Sequence, residues 1–141
     1  MTTDDFTLYL FRHGQTEWAA TGQHTGRTDI PLTEKGREQA ATLQEVVARV
    51  KFNAVLVSPL SRARQTAEIA GLGDQMQTVE DLREFDYGGY EGLTTKQIRE
   101  QVPGWTVWTH PVPDGETLAQ AAARCQRVID KARTAGAGES S

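Results

Sequence analysis

Apolar residues along the chain fall into short blocks of two different periods, separated by polar, glycine-rich stretches. The first block, Leu8-Tyr9-Leu10-Phe11, is continuous and stops at Arg12-His13-Gly14. A short apolar run bounded by glycine has the pattern of a buried strand, which predicts β structure over Thr7 to Arg12. A second continuous and β-branched run, Ala54-Val55-Leu56-Val57, predicts a strand from Phe52 to Val57 that ends at Ser58-Pro59. Between the two the period changes. Ala40, Leu43, Val47 and Val50 recur every three or four residues behind Thr33, the pattern of a capped helix with one buried stripe facing a sheet. Pro59 suits the first turn of a further helix, Leu60 to Ala70, which Gly71 and Gly73 close. Gln77 to Val79 has the pattern of a short strand. Thr94-Thr95-Lys96-Gln97 and Thr117-Leu118-Ala119-Gln120 are capping boxes, opening helices that run to about Gln101 and to about Arg133.

The remaining stretches lack a period. Gln15 to Leu32 is long for a connection within a compact domain, and loops of that length are usually functional. Leu82 to Gly92 is an aromatic, acidic and glycine-rich loop, Trp105, Val107 and Trp108 lie in an irregular linker, and Asp114-Gly115 makes a turn. Residues 1 to 6 are expected to fray, and Ala135 to Ser141 have the composition of a linker. Strand, helix, strand, helix with these short connections predicts an α/β fold, a mainly parallel sheet with crossover helices. Right-handed crossovers bring the carboxyl ends of the first two strands to one edge, where open α/β sheets bind ligands. His13 is therefore expected at the end of the first strand, facing the Ser58-to-Arg64 segment. Arg12 beside it can grip an anion with its planar fork, and Gly14 lets backbone approach a ligand.

Composition narrows the classes of function. At 141 residues the chain has the size of one domain, and 38% hydrophobic with 24% charged residues describes a globular protein. Fifteen basic residues against 19 acidic ones give a net charge of −4 with no basic run, so no nucleic-acid partner is expected. Neither a membrane span nor a secretory leader is visible, which makes a cytoplasmic location the expectation and a membrane partner not expected. The single cysteine, Cys125, stands at helical spacing from Leu118, Ala122 and Ile129, which predicts core packing. An anionic ligand on an acidic protein needs a local group of arginines, and Arg12, Arg62, Arg64 and Arg83 are the candidates.

Five segments, in order, carry a resemblance. They are Arg12-His13-Gly14-Gln15-Thr16-Glu17-Trp18, Gly22 to Thr33, Ser58 to Ala67, Leu82 to Gly92, and Asp114-Gly115-Glu116-Thr117. Together the sequence resembles the histidine phosphatase (phosphoglycerate-mutase-like) superfamily, most closely its sedoheptulose-1,7-bisphosphatase-type branch. The resemblance implies a phosphatase that hydrolyses a small phosphorylated metabolite, a sugar phosphate or bisphosphate, through a phosphohistidine intermediate and without cofactor or metal. His13 would be the nucleophile, Arg12 and Arg62 the phosphate clamp, and Glu84 the acid, with Asp86 and Glu91 as rival carboxylates. His24, Thr25 and Tyr87 would line the substrate pocket, although the branch carries Tyr where this chain has His24.

These roles agree with the chemistry of the residue types. An imidazole that takes the phosphoryl group splits one hard displacement into two easier ones. Arginines neutralise the equatorial oxygens and disfavour the protonated imidazole. A carboxylic acid near bound phosphate is poised to protonate the leaving alkoxide. Arg64 and Arg83 are candidates for a second phosphate, against ordinary exposed salt bridges. Trp18, Trp105 and Trp108 are candidates for sugar stacking, against core filling. His110, in a linker before Pro111, is assigned no role.

The superfamily also carries a second histidine, in a Ser/Ala-His-Gly context after a further strand beyond the Gly-Glu-Thr helix. None of His13, His24 and His110 has that context. The expectation is a single histidine phosphatase domain over residues 1–141, incomplete at its C-terminus. Two other functions fit the same motifs: a phosphoglycerate-type mutase, which returns the phosphate to its product, and a non-catalytic phosphate-binding module. The oligomeric state is not readable.

Overall fold

In the computed structural model, which describes residues 7–136, the elements run α1 (Glu17–Thr21), α2 (Glu34–Ala41), α3 (Gln44–Ala48), β1 (Val55–Val57), α4 (Ser61–Ile69), β2 (Met76–Thr78), α5 (Thr95–Gln101) and α6 (Leu118–Gly136). Single 3₁₀ turns stand at Glu80–Leu82 and Gly88–Tyr90. The apolar run Val55–Val57 pairs in parallel with Met76–Thr78, Val55 opposite Met76 and Val57 opposite Thr78, and α4 makes the crossover. The architecture is thus mixed α/β with a parallel sheet, as the alternation of elements predicts. The regular strands are shorter than the apolar blocks that announce them.

Caps are where local chemistry decides most. Thr33 accepts from the Gly36 amide at the start of α2. Both capping boxes form in full: Thr94 and Gln97 exchange backbone-to-side-chain bonds of 2.8 and 3.2 Å, and Thr117 and Gln120 do so at 2.9 and 3.1 Å. The 15–32 segment is less irregular than its composition suggests. Thr16 caps the short helix α1 through the Ala19 amide, Gly22 ends it at φ 77°, and bridges Thr16–Leu32 and Gln23–Thr94 pin the segment down.

Three expectations are corrected. Thr7 to Arg12 forms no strand: among the described residues this run has no ladder partner. Leu10 is 85% exposed, and Tyr9 and Phe11 lie edge-on to Phe52, at 5.5 and 6.3 Å between ring centres. Hydrophobicity marks a segment for burial, but a strand exists only through hydrogen bonds to a neighbour. The helix after Thr33 is two helices. At the break the Thr42 hydroxyl donates to the Gln39 carbonyl at 2.6 Å and the Leu43 amide turns to the Ala40 carbonyl, a local competition that Thr side chains offer mid-helix. Cys125 is exposed rather than core, because α6 is docked by its Arg124 and Arg127 onto the 3₁₀ turn at Asp81. Of the stripe it belongs to by spacing, Leu118, Ala122 and Cys125 are exposed and Ile129 is half-buried. Of the predicted linker, Ala135 and Gly136 extend α6; residues 1–6 and 137–141 lie outside the described residues.

Among the described residues, two clusters of buried side chains organise the core. Val47, Ala70 and Leu72 gather Leu43, Phe52, Val55 and Ala67 between α3, α4 and β1. Tyr90, Ile98, Trp105 and Val112 pack with Phe85 and Tyr87 under the 82–92 loop. Trp105 is therefore core filling, Trp108 is 77% exposed, and Trp18 lies over Gly92. Among the described residues no helix is long and apolar enough to cross a membrane.

One close approach sets the position of the Arg12-His13-Gly14 triplet. Gly14 and Gly36 face each other so closely that a Cβ on Gly14 would overlap the Gly36 carbonyl, and one on Gly36 the Gln15 carbonyl. Gly36→Ala is therefore expected to lower stability by about 1–3 kcal/mol, as overpacking against backbone does. An unchanged urea midpoint would contradict this packing.

Candidate active site

His13 is held from its backbone outward. The Gly14 amide donates to Thr66 Oγ1 on α4 at 3.1 Å, and Gly14 abuts Gly36 on α2, so the triplet is wedged between two helices. The imidazole Nδ1 lies 2.7 Å from the Gly14 carbonyl. A carbonyl only accepts, so Nδ1 carries hydrogen, and Nε2 is the nitrogen whose lone pair is freed once the proton it shares with its neighbour leaves. Nε2 faces Glu84 Oε1 at 2.6 Å.

Arg62, in the first turn of α4, is fully buried. Its guanidinium donates to the carbonyls of Thr28 at 2.8 Å and Gly26 at 2.6 Å, and one nitrogen lies 3.4 Å from Glu84 Oε2. Its Nε is buried without a partner. A buried donor without a partner is costly, and this one belongs to a cation that lines the same cleft as His13 and Glu84. Asp29 supports this arrangement, its carboxylate accepting from the Ser61 amide and hydroxyl at the head of α4. Glu84 thus bridges His13 and Arg62. Burial pushes its carboxyl up, but the hydrogen bond to His13 and the charge of Arg62, with smaller contributions from His13 and Arg12, outweigh it and hold the group below the usual carboxylate range. Arg12 is exposed and lines, with His13, Arg62 and Glu84, a cleft of about 910 Å³.

The three candidate carboxylates now separate. Asp86 accepts from the Gly88 amide at 2.9 Å. Glu91 accepts from the amides of Gly26, Arg27, Thr28 and Tyr87 and from the Thr28 hydroxyl. Only Glu84 of the three bonds to His13. Glu91 instead secures the 26–28 loop whose carbonyls hold Arg62. Burial raises its carboxyl, but the bonds from Thr28, Gly26 and Tyr87 prevail and lower it.

A carboxyl lowered on folding adds stability above its unfolded pKa and loses it as pH falls through the folded one. Glu91→Gln is therefore expected to cost roughly 1 kcal/mol at neutral pH, allowing for solvent screening of a half-exposed group. The gap between variant and parent should close on acidification below about pH 4. Denaturation at pH 7 and pH 3 measures both, and a gap that persists in acid would reject the clamp.

The expected substrate contacts form a neighbouring group. His24 Nε2 lies 3.0 Å from Thr95 Oγ1, its ring stacks tilted on Tyr87 at 4.8 Å and edge-on to Trp105 at 5.5 Å, and the Thr25 hydroxyl donates to the Gln23 carbonyl. Burial lowers the His24 imidazole against the opposing charge of Glu91. Burial, then the charges of Glu84 and Glu91, raise the Tyr87 hydroxyl. None of the three lines the cleft at His13. Arg64 donates to the Thr78 hydroxyl, Arg83 pairs with Glu80, and His110 bonds Thr109, so these three stand apart from the site. Among the described residues no three His, Cys, Asp or Glu side chains are grouped to hold a metal ion.

Two residues of this neighbourhood, Arg27 and Asp29, escaped the sequence, and Glu91 was expected there only as a rival acid. Arg27 donates through Nε to the Glu84 carbonyl at 3.2 Å, Asp29 accepts from the Ser61 amide at the head of α4, and Glu91 accepts from loop amides. Their roles depend on which backbone groups come near in space, for which a single sequence carries no signal.

A sequence profile described as the histidine phosphatase superfamily (branch 1) matches residues 8–140. The chain is 44% identical over 128 residues to an acid phosphatase of Mycobacterium tuberculosis, covering 86% of this chain and 61% of that protein. It is 36% identical over 143 residues to sedoheptulose 1,7-bisphosphatase of Saccharomyces cerevisiae, covering 85% and 53%. A solved structure of an open reading frame from Mycobacterium tuberculosis matches with a TM-score of 0.77 at 42% identity, over 84% of this chain and 62% of the other. The chain spans between about half and three fifths of the length of these relatives.

Proposed function

The chain belongs to the histidine phosphatase superfamily, and from that premise we propose that it hydrolyses phosphate monoesters of a small metabolite, a sugar phosphate or bisphosphate, by way of a phosphohistidine at His13. The observation that carries the proposal is the Glu84 carboxylate itself: an anion sits between the His13 Nε2 and the Arg62 fork, where a phosphate oxygen would. Similarity to proteins named acid phosphatase and sedoheptulose 1,7-bisphosphatase supports the reaction class.

In the proposed cycle the substrate dianion displaces the Glu84 carboxylate and takes up the orphan Nε of Arg62, with Arg12 closing on it from the exposed side. The proton shared by Nε2 and Glu84 passes to Glu84, because a nearby dianion favours the neutral acid. The Nε2 lone pair then attacks phosphorus, the P–O bond to the sugar breaks, and Glu84 gives its proton to the leaving alkoxide. In the second half Glu84 takes a proton from water, the water oxygen attacks phosphorus, and the N–P bond breaks to release inorganic phosphate. His24, Thr25 and Tyr87 are assigned to the sugar end.

Alkaline quenching after mixing with radiolabelled sugar bisphosphate tests the proposal, alongside assays of phosphate release and isomer formation from sedoheptulose 1,7-bisphosphate and 3-phosphoglycerate. An acid-labile, alkali-stable phosphoenzyme with net phosphate release is expected. Isomer formation without net release would assign a mutase, and binding without turnover a phosphate-binding module.

A further inference from the structure

Resting on the assignment of Glu84 as proton donor, we infer that Arg124, locked to Glu116, is a positioning residue that holds Glu84 in register with His13 and Arg62. Glu84 stands in an irregular stretch after the 3₁₀ turn, outside helix and strand. Proton transfer demands placement to a fraction of an ångström, so something outside the local backbone must fix it. The Arg124 guanidinium reaches across from α6 and donates to the carbonyls of Asp81 at 2.8 Å and Arg83 at 2.6 Å. Its other edge makes a two-point pair with Glu116, at 2.5 and 2.6 Å, and both side chains are almost entirely buried.

Glu116 carries the restraint past the other side of Glu84. Its Oε1 accepts from the Asp86 amide at 3.2 Å, and its own amide donates to the Asp86 carbonyl at 2.9 Å. Arg27 completes the frame, with Nε on the Glu84 carbonyl and a terminal nitrogen 3.8 Å from Glu116. Backbone groups at 81, 83, 84 and 86 are thus gripped by three side chains that do not touch the His13 imidazole.

Docking of α6 alone does not require this. Arg127, one turn along the helix, pairs with the Asp81 carboxylate in a more exposed setting, which fastens the helix to the same turn. Arg124 instead spends two donors on carbonyls leading into Glu84. A lysine keeps the charge but cannot bond two carbonyls and a carboxylate at once.

The loss on breaking this frame should fall on the step that needs the Glu84 proton. In the purified protein, kcat/KM is measured with p-nitrophenyl phosphate, whose leaving group needs little protonation, and with glycerol phosphate, whose alkoxide needs it. Arg124→Gln is expected to lower the glycerol phosphate value about 10²-fold and the aryl value at most about fivefold. Glu84→Gln should show the same selectivity, and combining the two should add little to Glu84→Gln alone. Arg127→Gln should leave the ratio of the two substrates unchanged. If Arg124→Gln does not fold, Arg124→Lys and Glu116→Gln are read by the same ratio.

Equal losses on both substrates in the variants that fold, or full additivity with Glu84→Gln, would overturn the positioning role while leaving Glu84 as donor. A Glu84→Gln protein without leaving-group selectivity would overturn the donor assignment, and the positioning role with it.

Discussion

His13→Ala is expected to abolish the alkali-stable, acid-labile phosphoenzyme and to lower phosphate release by about 10⁴–10⁶-fold, the scale on which covalent catalysis collapses when a member of its nucleophilic machinery is removed. The effect should be large because, among the described residues, neither of the other two histidines can replace the imidazole. With Nδ1 donating to the Gly14 carbonyl, Nε2 is the ring nitrogen that becomes the nucleophile once the proton it shares with Glu84 leaves, and it lies beside Arg62. His24 is tied to Thr95 and stacked on Tyr87, and His110 bonds Thr109, so neither is placed to take over. The fold should survive. The triplet is held through the Gly14 amide and the Gly14–Gly36 contact rather than through the imidazole. A thermal midpoint close to the parent's, together with a missing phosphoenzyme, is the expected pair of results. Phosphoenzyme formed at the parent's yield would remove His13 from the chemistry.

The features legible in the sequence were those fixed by neighbours along the chain. Thr33, Thr94 and Thr117 cap helices through amides three residues away, so their motifs carry the answer within four positions. The β1–α4–β2 unit was legible because a β-branched run, a proline and paired glycines punctuate it. What failed depended on distant partners. The Leu8-to-Phe11 run looks like a strand from within, yet among the described residues no chain pairs with it. Cys125 fits an apolar stripe by spacing, but two arginines on another face of α6 decide which way the helix turns.

The site divided in the same way. Arg12, His13 and Arg62 sit in distinctive local motifs and line one cleft with Glu84. Glu84, Asp86 and Glu91 lie within eight positions and are chemically alike, and they separate only by what surrounds them: an imidazole and a guanidinium for one, loop amides for the other two. The frame of Glu116, Arg124 and Arg27 was invisible for a related reason. Guanidinium bonds to backbone carbonyls leave no pattern in residue types.

Arg62 should show the second large effect, and it divides between folding and binding in a way that two substitutions separate. Its side chain is fully buried, satisfies the carbonyls of Gly26 and Thr28, and faces the Glu84 carboxylate. Arg62→Met leaves those two carbonyls unpaired, at about 1–3 kcal/mol each, and takes from the partly exposed Glu84 its nearest fixed cation, a loss that solvent screening keeps small. Against a domain stability of about 5–15 kcal/mol, the unpaired carbonyls move the urea midpoint far enough to be unmistakable. Arg62→Lys keeps a charge, so less stability should be lost, but one ammonium cannot bond both carbonyls and also present a donor to an incoming anion. Its kcat/KM should still fall by roughly 10²–10³, the usual consequence of removing one preorganised donor from a reaction centre. The acid side gives an independent check. Arg62 helps hold the Glu84 carboxyl low, so removing it lets that carboxyl rise. A lowered carboxyl contributes stability that is lost as pH falls through its folded value, and Arg62→Met should therefore show a smaller acid-induced loss of stability than the parent. If Arg62→Met keeps both the parent's urea midpoint and its KM for sugar phosphates, the buried guanidinium belongs neither to the support of this loop nor to the phosphate clamp.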